Sequence, residues 1–257
     1  MRLPEFQQYL ETKNIDLVFL NSLDSSLTYF AQTKLSHGFL IITPHVADLY
    51  ITSLDSVPHT KRINVQNIPK EWQKKFSNNN IRRVGINTEL LPVGTLEKLR
   101  KVWPKAKFVD ISKKIKQLRS TKNAEEVRRI TKACEITASA FNALIEELPK
   151  KTLKTEQEVA DFLEKEFRKN NATSAFPIIV AMGKHAAIPH HITSNQKLKK
   201  GFLLIDFGAK YKNYCSDMTR VIYLGKANNE EKQFYHLLLQ SQLEAISHIQ
   251  HNRSFKK

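Results

Sequence analysis

Hydrophobic residues in the first part of the chain switch between helical and strand spacing. Residues 3–13 have helical spacing and place Phe6, Tyr9 and Leu10 on one face of a predicted helix. Short apolar runs between turn residues then predict five strands, namely Leu17–Leu20, Phe39–Thr43, Ala47–Thr52, Arg83–Ile86 and Lys107–Asp110. Helical stretches separate several of these runs. The pattern therefore predicts a compact α/β domain with a mixed sheet over residues 1 to about 112.

A different pattern begins near Asn123. Asn123 and Glu126 have capping-box spacing, and Pro149 ends the helix that follows. The apolar residues predicted to form the buried stripe of this long helix are Val127, Ile130, Cys134, Ala138, Phe141, Leu144, Ile145 and Leu148. Thr155 and Glu158 form a second capping box, which starts a shorter helix. Three strands, Pro177–Ala181, Phe202–Phe207 and Tyr214–Leu224, and a last helix from about Asn229 complete the predicted second domain.

Composition is that of a folded globular protein, with 257 residues, 41% hydrophobic and 26% charged. This length predicts two domains. The chain has 7 glycines, none spaced as G-x-G and none followed by Lys-Ser or Lys-Thr. Phosphate-cradling loops of the dinucleotide-binding or P-loop kind are therefore excluded.

The apolar runs are far shorter than the roughly 20 residues of a membrane span. Pro4 and Glu5 occupy positions where a signal peptide would begin its apolar core, so we expect a cytoplasmic protein without a membrane partner. Cys134 and Cys215 lie in different predicted elements, which excludes a cysteine-built zinc site. We expect both to be buried, reduced thiols.

The net charge of +16 raises the possibility of nucleic-acid binding. The most basic stretch, 113–122, alternates with apolar residues as a solvated helix or linker does, and no aromatic residues are interleaved with it. The sequence therefore favours general attraction to polyanions over a dedicated nucleic-acid site.

Asp206 and Asp217 flank a predicted hairpin. A turn centred on Tyr211 and Lys212 would make the two aspartates cross-strand partners, with Cβ atoms roughly 4.5–5.5 Å apart. Carboxylates at that distance repel unless a proton or a cation lies between them, and a pair of metal ions about 3.5–4 Å apart fits the spacing. Oxygen ligands favour Mn²⁺ or Mg²⁺, and an added imidazole also admits Co²⁺ or Zn²⁺. In the alternative interpretation, Asp206 ends a strand and Asp217 is a turn or surface residue.

The segment 183–191 carries three histidines, His185, His190 and His191, in a loop that leads back to the strand of Asp206. Imidazoles can supply a proton donor or a metal ligand at neutral pH. Pro189 stiffens the loop immediately before His190. The alternative is a solvent-exposed loop that is rich in histidine by chance.

Four blocks in this region resemble, in order, the pita-bread metallopeptidases, and within them the Xaa-Pro peptidases, aminopeptidase P and prolidase. The blocks are 176–183, 187–190, 204–209 and 214–220. The linker 118–127 is similar to the one that precedes the catalytic domain in those enzymes. The resemblance implies an α/β (α+β) fold, with a creatinase-like N-terminal domain at 1–115 and the first half of a pita-bread catalytic domain at 116–257.

The same resemblance implies roles for three residues. Asp206 would chelate one of two divalent metal ions, Asp217 would bridge both, and His190 would contact the substrate near the scissile bond and help to hold the tetrahedral intermediate. The ions, Mn²⁺ or Co²⁺ with Zn²⁺ as an alternative, would polarise the carbonyl before proline and lower the pKa of the attacking water. The family also implies a proline-containing peptide substrate and a homodimer.

The sequence departs from the family pattern after Gly225. The family uses three further metal ligands, one His in a glycine-flanked motif and two Glu, but no glycine follows Gly225, and we interpret His236 and His248 as surface residues. We therefore expect little activity from this chain by itself, and a homodimer or a complementing C-terminal half as its partner. Two other interpretations stay open: a non-catalytic peptide-binding or dimerisation module of the same fold, and a basic nucleic-acid-associated relative.

Overall fold

The chain divides into two compact units, residues 1–125 and 126–257. A computed structural model describes residues 2–57, 62–77 and 80–249. Within those ranges, no helix has both the length and the apolar character needed to cross a membrane. Each unit has its own hydrophobic core and is described separately below.

The first unit is built on a six-stranded mixed sheet with the strand order β4-β3-β2-β1-β5-β6. Its strands are β1 (Leu17–Asn21), β2 (Gly38–Ile42), β3 (Ala47–Ile51), β4 (Asn64–Asn67), β5 (Arg83–Ile86) and β6 (Lys107–Asp110). Its helices are α1 (Leu3–Thr12), α2 (Ser25–Ala31), α3 (Trp72–Phe76), α4 (Val93–Val102) and α5 (Ser112–Ser120). Alternate residues of β1 enter different cores, Val18 on one face and Phe19 on the other. The predicted mixed α/β domain is confirmed.

Two elements of the first unit are absent from the sequence prediction. Strand β4 is mostly polar and exposed at the edge of the sheet, so it has no strand-like apolar alternation. Helix α2 has only 7 residues, and Asp24 caps it by accepting a hydrogen bond from the Ser26 N–H. The basic stretch that we interpreted as a helix or linker is α5, in which Ile115 and Leu118 are buried.

The second unit packs helices against antiparallel strands. Its helices are α6 (Ala124–Glu147), α7 (Glu156–Lys169) and α8 (Asn229–Ser247). Its strands are β7 (Thr173–Ser174), β8 (Ile179–Met182), β9 (Gly201–Phe207), β10 (Ala209–Tyr211), β11 (Tyr214–Cys215) and β12 (Met218–Leu224). They form two sheets, β12-β9-β8 and β11-β10-β7. The predicted capping box of α7 is present, because Thr155 and Glu158 exchange side-chain and backbone hydrogen bonds.

The buried face of α6 differs from the predicted one. Its buried residues are Glu126, Ala133, Ile136, Thr137, Ala140 and Leu144. Of the predicted stripe, Val127 is 50% exposed and Ile145 is 41% exposed. The helix contains apolar residues on more than one face, and small residues mark the face that approaches the strands closely. Our prediction of two buried cysteines is also wrong, since Cys134 and Cys215 are both exposed.

Helix α8 begins at a capping box formed by Asn228 and Glu231, and none of its residues is buried. Its exposed apolar side chains include Phe234, Leu237, Leu238, Leu243 and Ile246. Tyr223 on β12 donates a hydrogen bond of 2.7 Å to Glu231, which ties the start of α8 to the sheet. Helix α8 thus presents a large apolar surface to solvent.

Candidate functional site

The hairpin that carries both candidate aspartates has a different register from the predicted one. Tyr211 pairs with Tyr214, so Lys212 and Asn213 form the two-residue turn, with φ angles of 46° and 67°. Two consecutive positive φ angles are typical of a type I′ hairpin turn. In this register Asp206 pairs with Thr219, and the predicted pairing of Asp206 with Asp217 is wrong. The sequence suggested the tolerance of Asn213 for this conformation but not that of Lys212.

Asp206 is half-buried near the end of β9, between two other strands. It pairs with Ile179 of β8 on one side and Thr219 of β12 on the other. The Thr219 hydroxyl donates a hydrogen bond of 3.1 Å to Oδ1 of Asp206. The neighbouring residues Ile205 and Phe207 are fully buried, so the Asp206 side chain lies on the opposite face of the sheet from the core.

Asp217 is exposed and lies between β11 and β12. Its neighbour Ser216 is buried, and the two oxygen atoms Ser216 Oγ and Thr137 Oγ1 are 2.6 Å apart. The Ala209 N–H lies 3.0 Å from both hydroxyl oxygens, and Ser216 Oγ is also 3.1 Å from the carbonyl oxygen of Ala133. This buried hydroxyl pair fixes the backbone next to Asp217 against α6.

Gly208 allows the two arms of the hairpin to approach each other at the same point. A Cβ atom on Gly208 would lie 2.0 Å from the backbone oxygen of Ser216, a distance that no side chain tolerates. The close approach coincides with the gap between β9 and β10 on one arm and between β11 and β12 on the other. The close contact between Gly208 and Ser216 lies in the hairpin between Asp206 and the turn at Lys212 and Asn213.

His190 is exposed and has a left-handed backbone with φ of 53°. Such a conformation is uncommon for a residue other than glycine and costs free energy unless neighbouring contacts hold it. The adjacent loop is held firmly. Thr193 Oγ1 donates to the carbonyl of Ile178 at 2.7 Å and accepts from the N–H of Val180 at 2.9 Å.

Glu156, His185 and His191 form a cluster that the sequence analysis did not identify. Among the described residues, they are a group of three His, Cys, Asp or Glu side chains that could hold a metal ion. Their possible ligand atoms all lie within 4.8 Å of one another. His185 Nδ1 donates to Oε1 of Glu156 at 2.8 Å, and His191 Nε2 donates to Oε2 at 3.1 Å. The two imidazole rings are tilted by 34° to each other, with their centroids 4.4 Å apart. The three histidines of the loop were visible in the sequence, but Glu156 appeared only as part of a helix cap.

The carboxylate of Glu156 is completely buried at the start of α7. Burial by itself would raise the pKa of this group, but hydrogen bonds from the Met182 N–H, His191, His185 and Ser194 outweigh it and lower the pKa to about 2. The Met182 N–H and the Ser194 hydroxyl each donate at 2.8 Å. Glu156 is therefore an anion at neutral pH and anchors the histidine loop to α7.

A separate cleft of about 750 Å³ lies between the end of α6 and strand β12. Its apolar lining includes Leu148, Leu153, Leu198 and Ile222, and its rim carries five lysines, Lys151, Lys154, Lys197, Lys199 and Lys200. Asp206, Asp217 and His190 do not line this cleft. The lysines concentrate part of the positive charge of the chain on one side of the second unit.

Comparison with known families gives two matches. The Creatinase/Prolidase N-terminal domain matches residues 2–121, and Metallopeptidase family M24 matches residues 128–257.

Individual relatives cover nearly the whole chain. It is 32% identical over 246 residues to the Xaa-Pro dipeptidase of Pyrococcus horikoshii, a match that covers 93% of this chain and 68% of the relative. It is 34% identical over 254 residues to the Xaa-Pro dipeptidase of Pyrococcus furiosus, covering 95% of this chain and 71% of the relative. The crystal structure of the X-Pro aminopeptidase from Thermotoga maritima matches with a TM-score of 0.80 at 27% identity, covering 91% of this chain and 70% of that one.

Proposed function

The chain belongs to metallopeptidase family M24 and carries a creatinase/prolidase N-terminal domain, and on this basis we propose that it serves in metal-dependent hydrolysis of the peptide bond before proline. Relatives that are 32% and 34% identical are Xaa-Pro dipeptidases. The reaction class follows from the family. The roles of individual residues are proposed from the hairpin register and the loop geometry of the second unit.

We assign metal binding to Asp206 and Asp217, and the register of their hairpin is the observation that carries this assignment. Asp217 lies two positions before Thr219, the strand partner of Asp206. Asp217 immediately precedes β12, and alternate positions of extended backbone share a face, so the register supports two carboxylates on one face of the hairpin. Carboxylates so arranged repel each other unless a cation neutralises them. Oδ1 of Asp206 accepts one hydrogen bond from Thr219, and the carboxylate keeps acceptor sites on both oxygens for an ion.

The donor set suits a hard or borderline divalent cation. Both side chains offer only oxygen, which favours Mn²⁺ among the ions that the family resemblance implies; Co²⁺, or Zn²⁺ as an alternative, would need an added nitrogen ligand. Bound ions would supply Lewis-acid chemistry, polarising the carbonyl before proline and lowering the pKa of water. Asp206 and Asp217 would hold the ions in a fixed place, because the buried Ser216 and Thr137 hydroxyls restrain the adjacent backbone.

We assign substrate contact to His190. Its left-handed backbone, φ of 53°, lies in a loop that is tied to β8 by Thr193 and to α7 by Ser194, both just after His190. A strained exposed residue on a well-held loop is a frequent arrangement at functional sites. In this role the imidazole donates a hydrogen bond to a substrate oxygen next to the scissile bond.

Two aspartates provide fewer ligands than a divalent ion needs to offset its dehydration. We therefore propose that this chain alone binds the ions weakly and has little activity. The curated dipeptidase of Pyrococcus horikoshii is longer, and the match covers 68% of it. A homodimer, or a complementing C-terminal segment that covers α8 and supplies further ligands, is the partner that this proposal requires. The cytoplasmic location stays a prediction.

The experiment compares four forms of the purified chain with Mn²⁺ or Co²⁺ present: unsubstituted, Asp206→Asn, Asp217→Asn and Asp161→Asn. Asp161 is exposed on α7, so its substitution makes the same charge change away from the candidate site. Release of proline from Xaa-Pro peptides is measured beside matched Xaa-Ala peptides. Metal uptake is measured in parallel by calorimetry.

We expect weak uptake that Asp206→Asn and Asp217→Asn each lower and Asp161→Asn preserves, and any residual cleavage to prefer Xaa-Pro peptides and to stop with chelator. Uptake that is equal in all four forms would contradict the assignment of the two aspartates. Fast cleavage by the unsubstituted chain would contradict the proposed weak activity. Metal-independent binding of uncleaved peptide would favour the non-catalytic alternative.

A further inference from the structure

We propose that Glu156, His185 and His191 form a second metal site, separate from the two aspartates, that takes one Zn²⁺ or a similar transition-metal dication. The three ligand atoms lie within 4.8 Å of one another, and they come from two elements, α7 and the loop after β8. Two imidazoles and one carboxylate are a donor set found in protein zinc sites. This proposal does not depend on the peptidase function.

The present distances are close to those of a loaded site. Oε1 of Glu156 is 2.8 Å from His185 Nδ1, and Oε2 is 3.1 Å from His191 Nε2. Ligand atoms about 2.1 Å from a tetrahedral Zn²⁺ lie roughly 3.4 Å from each other. The two distances are shorter than this spacing by about 0.6 and about 0.3 Å, and all three ligand atoms lie within 4.8 Å of one another. The two imidazole rings are tilted by 34°, with their centroids 4.4 Å apart.

Proton balance presents no obstacle to binding. Each imidazole directs one ring nitrogen at Glu156. A metal ion would bind that nitrogen, and the ring can carry a proton on the other nitrogen, Nε2 of His185 and Nδ1 of His191.

Charge also favours a cation at this place. The carboxylate of Glu156 is completely buried, and its pKa is held at about 2. Its hydrogen-bond donors from the backbone and from Ser194 carry no net charge. A dication would neutralise the buried charge, which these hydrogen bonds by themselves do not. The nitrogen ligands select Zn²⁺ over Mg²⁺, in contrast to the oxygen ligands of Asp206 and Asp217.

The test uses the full chain with Asp206→Asn and Asp217→Asn, so that the other candidate site cannot bind. Zn²⁺ is titrated calorimetrically into this protein and into versions that also carry His185→Gln, His191→Gln or His190→Gln. Glutamine keeps an N–H donor for Glu156, which preserves the hydrogen bond while removing the imidazole. His190 is the matched control, because it lies in the same loop but is not part of the cluster.

We expect one Zn²⁺ per chain. His185→Gln and His191→Gln should each weaken binding by at least about 100-fold, beyond the 10–100-fold effect of outer-shell partners. His190→Gln should change it by less than about 2-fold. Mg²⁺ should not compete at equal concentration. Absence of Zn²⁺ uptake, or uptake that both glutamine substitutions leave unchanged, would overturn the proposal. Glu156, His185 and His191 would then only hold the loop to α7 by hydrogen bonds.

A second measurement keeps the proposal testable if a glutamine variant fails to fold. Long-range ¹H–¹⁵N spectra of the histidine rings in the Asp206→Asn, Asp217→Asn protein report which nitrogens bind the ion. We expect Zn²⁺ to shift Nδ1 of His185 and Nε2 of His191, and to leave His190 unchanged. Shifts confined to other histidines would overturn the proposal.

Discussion

Asp206 and Thr219 lie opposite each other on neighbouring antiparallel strands, and the Thr219 hydroxyl donates to Oδ1 of Asp206 at 3.1 Å. Asp217 immediately precedes β12, and this register, continued one residue beyond Met218, would make Asp206 and Asp217 diagonal neighbours, for which regular sheet geometry gives roughly 7–8 Å between backbones. Carboxylates at a diagonal leave more space for ions and their ligand oxygens than carboxylates directly opposite each other.

Replacing Thr219 with valine tests this pairing. The substitution removes the hydroxyl that orients Asp206 while retaining the branched shape. We expect Mn²⁺ affinity to fall by about 10-fold, as for other outer-shell partners, with a change in the free energy of unfolding below about 1 kcal/mol. Calorimetric titration measures the affinity. Thr219→Ser keeps the hydroxyl and should bind as the unsubstituted chain does; equal affinities for the valine and serine variants would contradict the role of Thr219.

Gly208→Ala tests the bend of the hairpin. Its Cβ would lie 2.0 Å from the Ser216 backbone oxygen, so the two arms must move apart. We expect a loss of about 3 kcal/mol in the unfolding free energy of the second unit. Gly94→Ala on α4 is the control, because nothing lies within 4 Å of its Cβ position. Urea unfolding followed by circular dichroism distinguishes the two, and similar midpoints would count against the close approach.

Ser216→Ala tests the buried hydroxyl pair. The variant leaves Thr137 and the Ala209 N–H with fewer partners, which should cost about 1–3 kcal/mol. Both tryptophans, Trp72 and Trp103, lie in the first unit, so tryptophan fluorescence should show an unchanged transition while circular dichroism shows an earlier one. Ser241→Ala, on exposed α8, should leave both signals unchanged.

Acid should destabilise the second unit through Glu156. Its pKa is about 2 in the folded chain against an ordinary value of 4.5, so the folded state binds fewer protons across this interval. The resulting stability, about 3 kcal/mol, is therefore present above pH 4.5 and is lost as the pH falls towards 2. Urea midpoints measured across this interval should fall steeply in the unsubstituted chain and in Asp161→Asn. Glu156→Gln should be less stable at neutral pH, and its urea midpoint should not fall in this way as the pH is lowered. A midpoint that falls as steeply in this variant would exclude Glu156 as the origin of the acid destabilisation.

The apolar surface of α8 should drive self-association. Leu237 is 64% exposed and Leu243 is 56% exposed. Replacing both with lysine should lower the association seen by sedimentation at increasing protein concentration. The free energy of unfolding should change by less than about 0.5 kcal/mol per site, because no buried contact is lost. Lys232→Ala on the same helix serves as a control, and association that persists in the lysine double variant would assign it to another surface.

Local patterns predicted those parts of the fold that local chemistry determines. The Thr155 capping box of α7 and the apolar strands of the first unit are present because cap geometry and burial act over a few residues. The hairpin register was missed, since it depends on Lys212 adopting a positive φ that its residue type does not favour. The buried face of α6 was missed because the position of Ala133 against the strands is a tertiary contact.

The same contrast between local patterns and tertiary contacts applies to the residues of the candidate sites. Asp206, Asp217 and His190 were predicted from short motifs that are close in sequence, and their roles stay predictions. Glu156 was missed because its partners, His185 and His191, lie about thirty residues away, and only the packing of α7 beside the loop brings them together. A carboxylate at the first position of a helix is common because it interacts favourably with the helix dipole. The sequence around Glu156 therefore does not distinguish it from an ordinary residue of a helix N-terminus.

The two thiols also affect how the protein must be handled. Cys134 and Cys215 are both accessible and neither is in a disulfide. In air-oxidised preparations they can cross-link two molecules, producing covalent dimers that imitate a natural assembly on a non-reducing gel. Reducing conditions, or a Cys134→Ser, Cys215→Ser background, let the homodimer expected from the family be judged on non-covalent contacts alone.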